Sequence, residues 1–386
     1  MKVRLLMQYS MKIFWMLLTI AGFACKNDET IVDPLIEDWS VSGRILYQRR
    51  IYGADQSPTT FIFDLGASNS DPKVVSLAGY FVHLSDDGKR IVAVGPTFPS
   101  DYTWNLFTVD IDSGTIRNVP RSGRYREWDA RWSPDGSRII FAAEYIAVPW
   151  PDPHAICTVK PDGSDFHALT DTTQTQSPPT WPTFSPSGSE IAYIRNLHPG
   201  SPSPAVLAII SPDGLHQVDL GDAYAPVPPE WSPNGQFIVY ARLLTAPGDT
   251  NAVRVFVYNV VSSTSSQVAP GDKVTPFGMI WTADGKLACV GNANNYNPAS
   301  GSGLSVLLCS ATTLQVEKVL VDGGFRMTSL VASPNGKYVG IFGIRNQQEG
   351  YAFYLSKTQQ GGLRFVKSLS SYSDSTLFQY NPYWRP

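Results

Sequence analysis

Residues 131–141 read RWSPDGSRIIF, a tight-turn sequence between two short apolar stretches. Ser-Pro-Asp-Gly suits the successive positions of a β-turn. Serine can hydrogen-bond forward to the backbone, proline presets φ, aspartate caps the turn, and glycine accepts a positive φ. The stretch therefore predicts a β-hairpin. Taken alone, it fits an ordinary enzyme hairpin, a catalytic or metal-binding loop, or one unit of a repeat.

The same pattern recurs along the chain. The related segments are HLSDDGKRIVAVG from residue 83, TFSPSGSEIAYIR from 183, EWSPNGQFIVYAR from 230, IWTADGKLACVG from 280 and VASPNGKYVGIFG from 331. Their turn glycines, together with that of the first segment, are Gly88, Gly136, Gly188, Gly235, Gly285 and Gly336, at spacings of 48, 52, 47, 50 and 51 residues. A period of this length is typical of propellers and solenoids rather than of unrelated domains.

Each unit also carries a second hairpin, such as LFTVDIDSGTIRNVP or LAIISPDGLHQVDL, and seven of these occur. The two ends of the chain supply one further unit as halves. SGRILYQRR, from residue 42, matches only the second half of the motif, and YNPYWRP, from residue 380, matches only the first half. We therefore expect Trp384 to meet Gly43–Tyr47, because pairing the first and last strands closes a propeller ring.

These motifs resemble the WD-like repeat of TolB-type β-propellers over about residues 40–386. The resemblance implies an all-β, seven-bladed β-propeller, with four antiparallel strands per blade and a ring closed by N- and C-terminal strands. It says little about function, because such propellers serve as protein scaffolds, glycan-active lyases and peptidase gating domains.

The motif residues themselves read as structural. Asn234, Asn335 and Ser187 occupy the place of Asp135 in other repeats, which a turn tolerates and a catalytic carboxylate does not. An aromatic or large apolar residue precedes the turn at what we call the wedge position, where it is expected to fill the space between blades. The residues at this position are Leu84, Trp132, Phe184, Trp231, Trp281 and Trp384, with Ala332 as the exception.

The N-terminus reads as a targeting segment. After Lys12, the apolar run IFWMLLTIAGFAC ends at Cys25 and is followed by KNDE. This resembles a bacterial lipoprotein signal with an acidic tag, although Gly22 and Phe23 depart from the usual pattern. The resemblance implies a signal peptide over residues 1–24, lipidation of Cys25, a linker over 25–39 and a propeller over 40–386. A plain secretory signal and an N-terminal transmembrane anchor remain alternatives.

Bulk composition narrows the possible partners. Hydrophobic residues make up 43% and charged residues 16%, which excludes a disordered chain. A net charge of −3 gives no basic excess for nucleic acid, so we expect no such partner. Cys157, Cys289 and Cys309 lie in apolar stretches and read as buried small side chains, with one Cys289–Cys309 bridge left open.

Function is expected on the face that does not repeat. In a propeller of this order the tight turns share one face, the turn face. The loops between second and third strands and those between blades share the opposite loop face, and here they are long and rich in Pro, Asn and aromatic residues. The predicted ligand-binding residues there are Arg124, Arg126, Trp128, Tyr145, Trp150, Tyr296 and Arg326. Packing of these aromatics onto the rim is the alternative interpretation.

An enzymatic function has less support in the sequence. An oligogalacturonate-lyase-like propeller needs histidines converging on a metal, and a His83/His154/His198 group fits no metal motif. The sequence contains no G-x-S-x-G, H-E-x-x-H or P-loop pattern. Glu230 and Arg131 are predicted to lie beside the central channel and are the main charged candidates for a site there.

We therefore expect a non-catalytic, lipid-anchored scaffold at the outer membrane, on its periplasmic or surface side. It would be a monomer that binds an envelope protein or a glycan without cofactor or metal. The alternative is a carbohydrate-active enzyme with a site in the central channel.

Overall fold

The repeats fold into seven antiparallel blades in the computed structural model, which describes residues 41–49, 59–66, 73–75, 80–96, 104–120, 125–145, 154–170, 178–197, 205–224, 227–246, 249–268, 274–291, 304–345, 351–370 and 383–385. Gly43–Pro386 forms one compact unit. All regular elements in these ranges are β-strands. The predicted signal peptide, Cys25 and the linker lie outside the described residues.

The strands follow one another in chain order. The first three blades contain β1 (Gly43–Arg49), β2 (Thr59–Leu65), β3 (Lys73–Val75), β4 (Tyr80–Leu84), β5 (Arg90–Pro96), β6 (Trp104–Asp110), β7 (Ile116–Asn118), β8 (Tyr125–Trp132), β9 (Ile139–Tyr145), β10 (His154–Val159) and β11 (His167–Ala168). Blades 4 and 5 contain β12 (Thr180–Phe184), β13 (Ile191–Asn196), β14 (Ala205–Ile210), β15 (Gln217–Asp222), β16 (Glu230–Trp231), β17 (Phe237–Ala246), β18 (Asp249–Asn259) and β19 (Thr264–Gln267). Blades 6 and 7 contain β20 (Val274–Trp281), β21 (Leu287–Gly291), β22 (Leu304–Cys309), β23 (Val316–Ala332), β24 (Tyr338–Ile344), β25 (Tyr351–Lys357) and β26 (Gly361–Ser370). The chain ends with β27 (Tyr383–Arg385).

The ring closes as the half-motifs predicted. The first sheet has the order β27-β1-β2-β3, so the last strand of the chain is the innermost strand of the first blade. Trp384 lies opposite Ile45 in this pairing and is 2% exposed. The chain is thus a seven-bladed propeller with four antiparallel strands per blade.

Blades 6 and 7 differ from the others because one long strand serves both. The first part of β23 pairs with β22 up to Phe325, and from Arg326 onward the strand pairs with β24. This continuity joins the two blades into one seven-stranded sheet. The backbone of β23 passes through the Gly323-Gly324 pair without a break, with Gly323 at φ +64°.

The turn role of Asp135 is confirmed by its hydrogen bonds. Its Oδ1 accepts from the Ser133 hydroxyl at 2.6 Å and from the Ser137 backbone N–H at 3.0 Å. The Ser133 oxygen in turn accepts from the Arg138 backbone N–H. Asn234 and Asn335 accept from their own serines in the same way. The carboxylate of Asp135 thus stabilises the turn.

The wedge role of the tryptophans is also confirmed. Trp231 donates its indole N–H to the Thr183 carbonyl at 3.2 Å, and Trp281 donates to the Glu230 carbonyl at 3.1 Å. Each bond joins one blade to the innermost strand of the preceding blade. Trp132 is 4% exposed and carries the Arg90 guanidinium 4.5 Å from its ring centroid. These side chains therefore bind the blades to one another rather than to a ligand.

The three cysteines after Cys25 are buried free thiols, as their apolar surroundings predicted. Cys289 on β21 lies opposite Leu307, and Cys309 on β22 lies opposite Leu287, so the two are diagonal neighbours in blade 6. Their thiols are hydrogen-bonded to each other, which together with burial raises the pKa of Cys289.

Candidate functional site

Three of the predicted binding residues are described in full, and all lie on blade 3. Arg126 and Trp128 are on its innermost strand β8, and Tyr145 ends β9 at the loop face. Arg326 lies on β23, where its backbone pairs with Ile344. Arg124, Trp150 and Tyr296 lie outside the described residues.

Arg126 and Tyr145 both lie at the loop-face end of blade 3. Arg126 is paired across the sheet with Glu144, the residue before Tyr145. Its guanidinium donates to Glu144 Oε2 at 3.0 Å and keeps 42% side-chain exposure. Tyr145 is 42% exposed. The structure thus places both partly exposed residues at the loop-face end of blade 3, with their side chains on opposite faces of the sheet because Tyr145 pairs with Tyr125. We call Arg126 and Tyr145 the blade-3 patch.

Trp128 lies behind this patch and packs within the blade. Its ring meets the His154 ring edge-on, with 6.2 Å between centroids. His154 Nε2 lies 4.0 Å from Glu144 Oε1, and both residues are 8% exposed. Most of the Trp128 side chain is therefore packed inside the blade, as the alternative interpretation predicted.

The channel wall holds an ion pair that spans blade 4. Arg131 on blade 3 donates to Glu230 Oε1 on blade 5 at 2.8 Å, and to the Thr183 hydroxyl on blade 4 at 3.3 Å. All three residues directly precede a wedge residue on their innermost strands. The two charged candidates beside the channel thus neutralise each other, and Arg131 is only 7% exposed.

His83 occupies the same position on blade 2. Its Nδ1 accepts from the Trp132 backbone N–H at 3.3 Å. Burial, with the charges of Arg131 and Arg385, holds the pKa of His83 well below its usual range. His83 is therefore a neutral acceptor at neutral pH, and it joins blade 2 to blade 3.

The sequence reasoning missed Asp129, which lies in a β-bulge of β8 between Trp128 and Arg131. Asp129 has φ +55°, an uncommon conformation for a residue other than glycine. Its Oδ2 accepts from the Trp181 backbone N–H on blade 4 at 3.0 Å. Burial raises the pKa of Asp129 to about 7, although the Trp181 hydrogen bond and the Arg131 charge act to lower it. Buried carboxyls with raised pKa values are candidates for functional groups.

Metal ligation finds no support in the described part of the chain. Within it, no three His, Cys, Asp or Glu residues lie close enough together to hold a metal ion. His83 lies on an innermost strand and His154 on the third strand of blade 3, while His198 is outside the described residues.

Among the described residues there is also no helix long and apolar enough to cross a membrane.

Comparison with known proteins agrees on the fold. No family model matches the chain. An uncharacterized protein of Agrobacterium fabrum is 26% identical over 234 residues, which cover 57% of this chain and 72% of the relative. A TolB structure from Acinetobacter baumannii is among the matches, with 14% identity, coverage of 89% of this chain and 67% of TolB, and a TM-score of 0.49.

Two enzymes superpose with higher TM-scores. A puromycin hydrolase is 16% identical with a TM-score of 0.60, and the match covers 85% of this chain but only 52% of the hydrolase. An oligogalacturonate lyase from Vibrio parahaemolyticus is 11% identical with a TM-score of 0.54, over 83% of this chain and 99% of the lyase. At these identities the likeness establishes the β-propeller fold and leaves function to the site.

Proposed function

We propose that this propeller is a non-catalytic scaffold of the cell envelope that binds a protein or a glycan through its loop face. The observation that carries the proposal is the blade-3 patch. Among the described residues, Tyr145 is the exposed large hydrophobic residue on the loop face, whereas the others, among them Val218 and Phe365, lie on outer strands or turns. Tyrosine and arginine side chains are common anchors in binding surfaces.

The charge pairing of the channel supports binding over catalysis. The Arg131 and Glu230 side chains are hydrogen-bonded to each other, so neither is free to act as a general acid or base. In addition, Glu144 is held by Arg126. These residues stabilise the ring, whereas Arg126 and Tyr145 at the loop face keep part of their surface exposed.

Binding through the patch predicts a sharp loss of affinity in Arg126→Met and Tyr145→Ser. We expect each variant to bind at least about tenfold more weakly, because patch anchors of this kind carry about 1.4 kcal/mol or more. A glycan array and cross-linking to envelope proteins, followed by titration of the ligand found, provide the measurement. Arg117→Met and Phe365→Ser on outer strands are matched controls that should retain binding. A ligand bound equally by the patch variants and the controls would contradict the proposal.

A channel enzyme is the second candidate, and Asp129 is the observation that favours it. A buried carboxyl with a pKa near 7 is suited to proton transfer. The Vibrio match is named as an oligogalacturonate lyase, so oligogalacturonate is the first substrate to test. Formation of unsaturated product by the wild type, and its loss in Asp129→Asn, would favour the enzyme over the scaffold.

We further propose attachment to the outer membrane through lipidated Cys25, with the propeller on the periplasmic or surface side and no nucleic-acid partner. The support is the apolar run ending at Cys25. Metabolic labelling with a fatty acid is expected to mark the wild type and not Cys25→Ser, which should leave the membrane fraction. Equal membrane association of an unlabelled Cys25→Ser chain would instead indicate a transmembrane anchor.

A further inference from the structure

We propose that the channel wall between blades 3 and 4 holds a binding site for a neutral saccharide, in which Asp129 accepts hydrogen bonds from sugar hydroxyl groups. This site is distinct from the blade-3 patch. Saccharide binding at Asp129 does not depend on ligand binding at the blade-3 patch, so an experiment can disprove one proposal without disproving the other.

The site is built by two bulges on neighbouring innermost strands. The register of β8 shifts between Trp128 and Arg131, and that of β12 shifts between Thr180 and Thr183. The residues at these shifts, Asp129 and Trp181, have φ values of +55° and +57°. The same register shift recurs on β4, β20 and β23, so the bulge itself belongs to the repeat. The left-handed conformation of a non-glycine residue at this place is described only for Asp129 and Trp181, and such conformations are costly and cluster at functional sites.

The Asp129 carboxylate is only partly used by the protein. Oδ2 accepts from the Trp181 backbone N–H, while Oδ1 is buried and has no hydrogen-bond partner among the described residues. The side chain belongs to a residue only 5% exposed. A buried acceptor without a donor is costly, and a ligand hydroxyl would satisfy it.

The repeats show that the bulge itself does not need a carboxylate. Three residues before the wedge position, the other units carry Phe81, Trp181, Pro228, Gly278, Ser329 and Asn381. Gly278 takes a positive φ at this place as well. An acid occurs in blade 3 alone, so its presence points to a role that the ring does not share.

The surroundings favour a neutral hydroxylated ligand. Trp128 precedes Asp129 and Trp181 is bonded to it, and both tryptophans keep partial exposure. Aromatic faces suit the apolar side of a sugar ring, and a carboxylate suits its hydroxyls. Among the described residues, Arg131 is the cation near Asp129, and its guanidinium is engaged by Glu230 and Thr183, which favours a neutral ligand over an acidic sugar.

Charges near Asp129 determine how binding depends on pH. The described titratable and charged side chains on β8 and on the elements packed against it are Arg126, Glu127, Arg131, His83 on β4, Arg90 on β5, Asp110 on β6, and Glu144 and Tyr145 on β9; β12 carries none. Of these, Arg131 is the one that acts on the pKa of Asp129. Hydroxyl donors favour the ionised carboxylate, so affinity should rise with pH through the range near 7.

The test titrates the full chain with neutral oligosaccharides selected on an array, at pH 6 and pH 8. We expect the wild type to bind roughly tenfold more tightly at pH 8, because the ionised fraction of a group with a pKa of about 7 changes by that factor. Asp129→Asn should bind more weakly at pH 8 and lose the pH dependence. Asp135→Asn, on the turn face, should keep both properties.

Three outcomes would overturn the proposal: no binding of any neutral saccharide, binding by the wild type that is independent of pH, or unchanged binding in Asp129→Asn. The pH dependence of affinity is measured on the wild type. It therefore still tests the proposal if Asp129→Asn misfolds. If Arg126→Met also weakens saccharide binding while Asp129→Asn still weakens it and removes its pH dependence, the saccharide contacts both the Asp129 site and the blade-3 patch. That result would agree with the proposed scaffold function.

Discussion

Replacing Trp384 with alanine is expected to lower the free energy of unfolding by about 3–5 kcal/mol, the usual cost of removing a buried tryptophan. Trp384 is 2% exposed and sits on a three-residue strand that supplies the innermost position of blade 1. The fit around it is close. A Cβ added at Gly43 would lie 2.6 Å from the Trp384 indole nitrogen and 2.4 Å from the Arg385 carbonyl oxygen. The site therefore has little freedom to collapse around a cavity.

Comparison with Trp132→Ala distinguishes two effects of Trp384→Ala: the loss of side-chain packing between blades and the loss of the strand pairing that closes the ring. Both variants remove a buried tryptophan at the wedge position, so urea unfolding should show similar destabilisation. Only Trp384→Ala should speed hydrogen exchange of the β1 amides, because β27 pairs with β1 through Arg44, Ile45 and Leu46. Phe365→Ala, at an exposed aromatic, should change stability little. Equal β1 exchange in the two tryptophan variants would mean that the β27 pairing does not hold the ring closed.

The fold was predictable because the sequence repeats with a fixed register. Gly43 and Trp384 could be matched, since each completes the half-motif that the other lacks. The shared strand β23 could not be foreseen, because Gly323-Gly324 has the composition of a turn. There the backbone hydrogen bonds of two neighbouring blades override local propensity, and the strand runs on from one sheet into the next.

The site was predictable only in part. Arg126 and Tyr145 could be predicted to lie at the loop face because residues that break the repeat are visible in sequence, and their role in binding stays a prediction. The Arg131–Glu230 pair joins blades 3 and 5 across blade 4, and no local pattern encodes that geometry. Asp129 was missed because strand alternation assumes a regular register, and a bulge changes where the side chain points. Its signal was the lack of any equivalent acid in the other repeats.

The burial of Asp129 predicts a stability that falls as pH rises. Its pKa is about 7 in the folded protein and 3.8 in the reference state, so the folded protein binds the proton more tightly. Below the reference value both states are protonated and the group contributes no difference. Between about pH 4 and 7 the unfolded state ionises first, and stability is lost until the folded carboxyl ionises as well. The full loss above pH 7 has an upper limit of about 4 kcal/mol.

Asp129→Asn removes this loss, because an amide does not ionise and can still accept from the Trp181 N–H. We expect the variant to be more stable than the wild type at pH 8, with the difference shrinking toward zero as pH approaches 4. Urea unfolding of both proteins from pH 4 to 8 provides the measurement. A constant difference over this range would show that Asp129 is ionised throughout in the folded protein.

Asp135 provides the control with the opposite sign. The Ser133 hydroxyl, followed by the Ser137 N–H and hydroxyl, lowers the pKa of Asp135, so its ionised form stabilises the fold. That contribution is present above the reference pKa and is lost as pH falls through the lower folded value. Asp135→Asn should therefore be slightly less stable than the wild type at neutral pH, whereas Asp129→Asn should be more stable. The same chemical change would act in opposite directions because one carboxylate caps a solvated turn and the other is buried beside the channel with an unfilled acceptor.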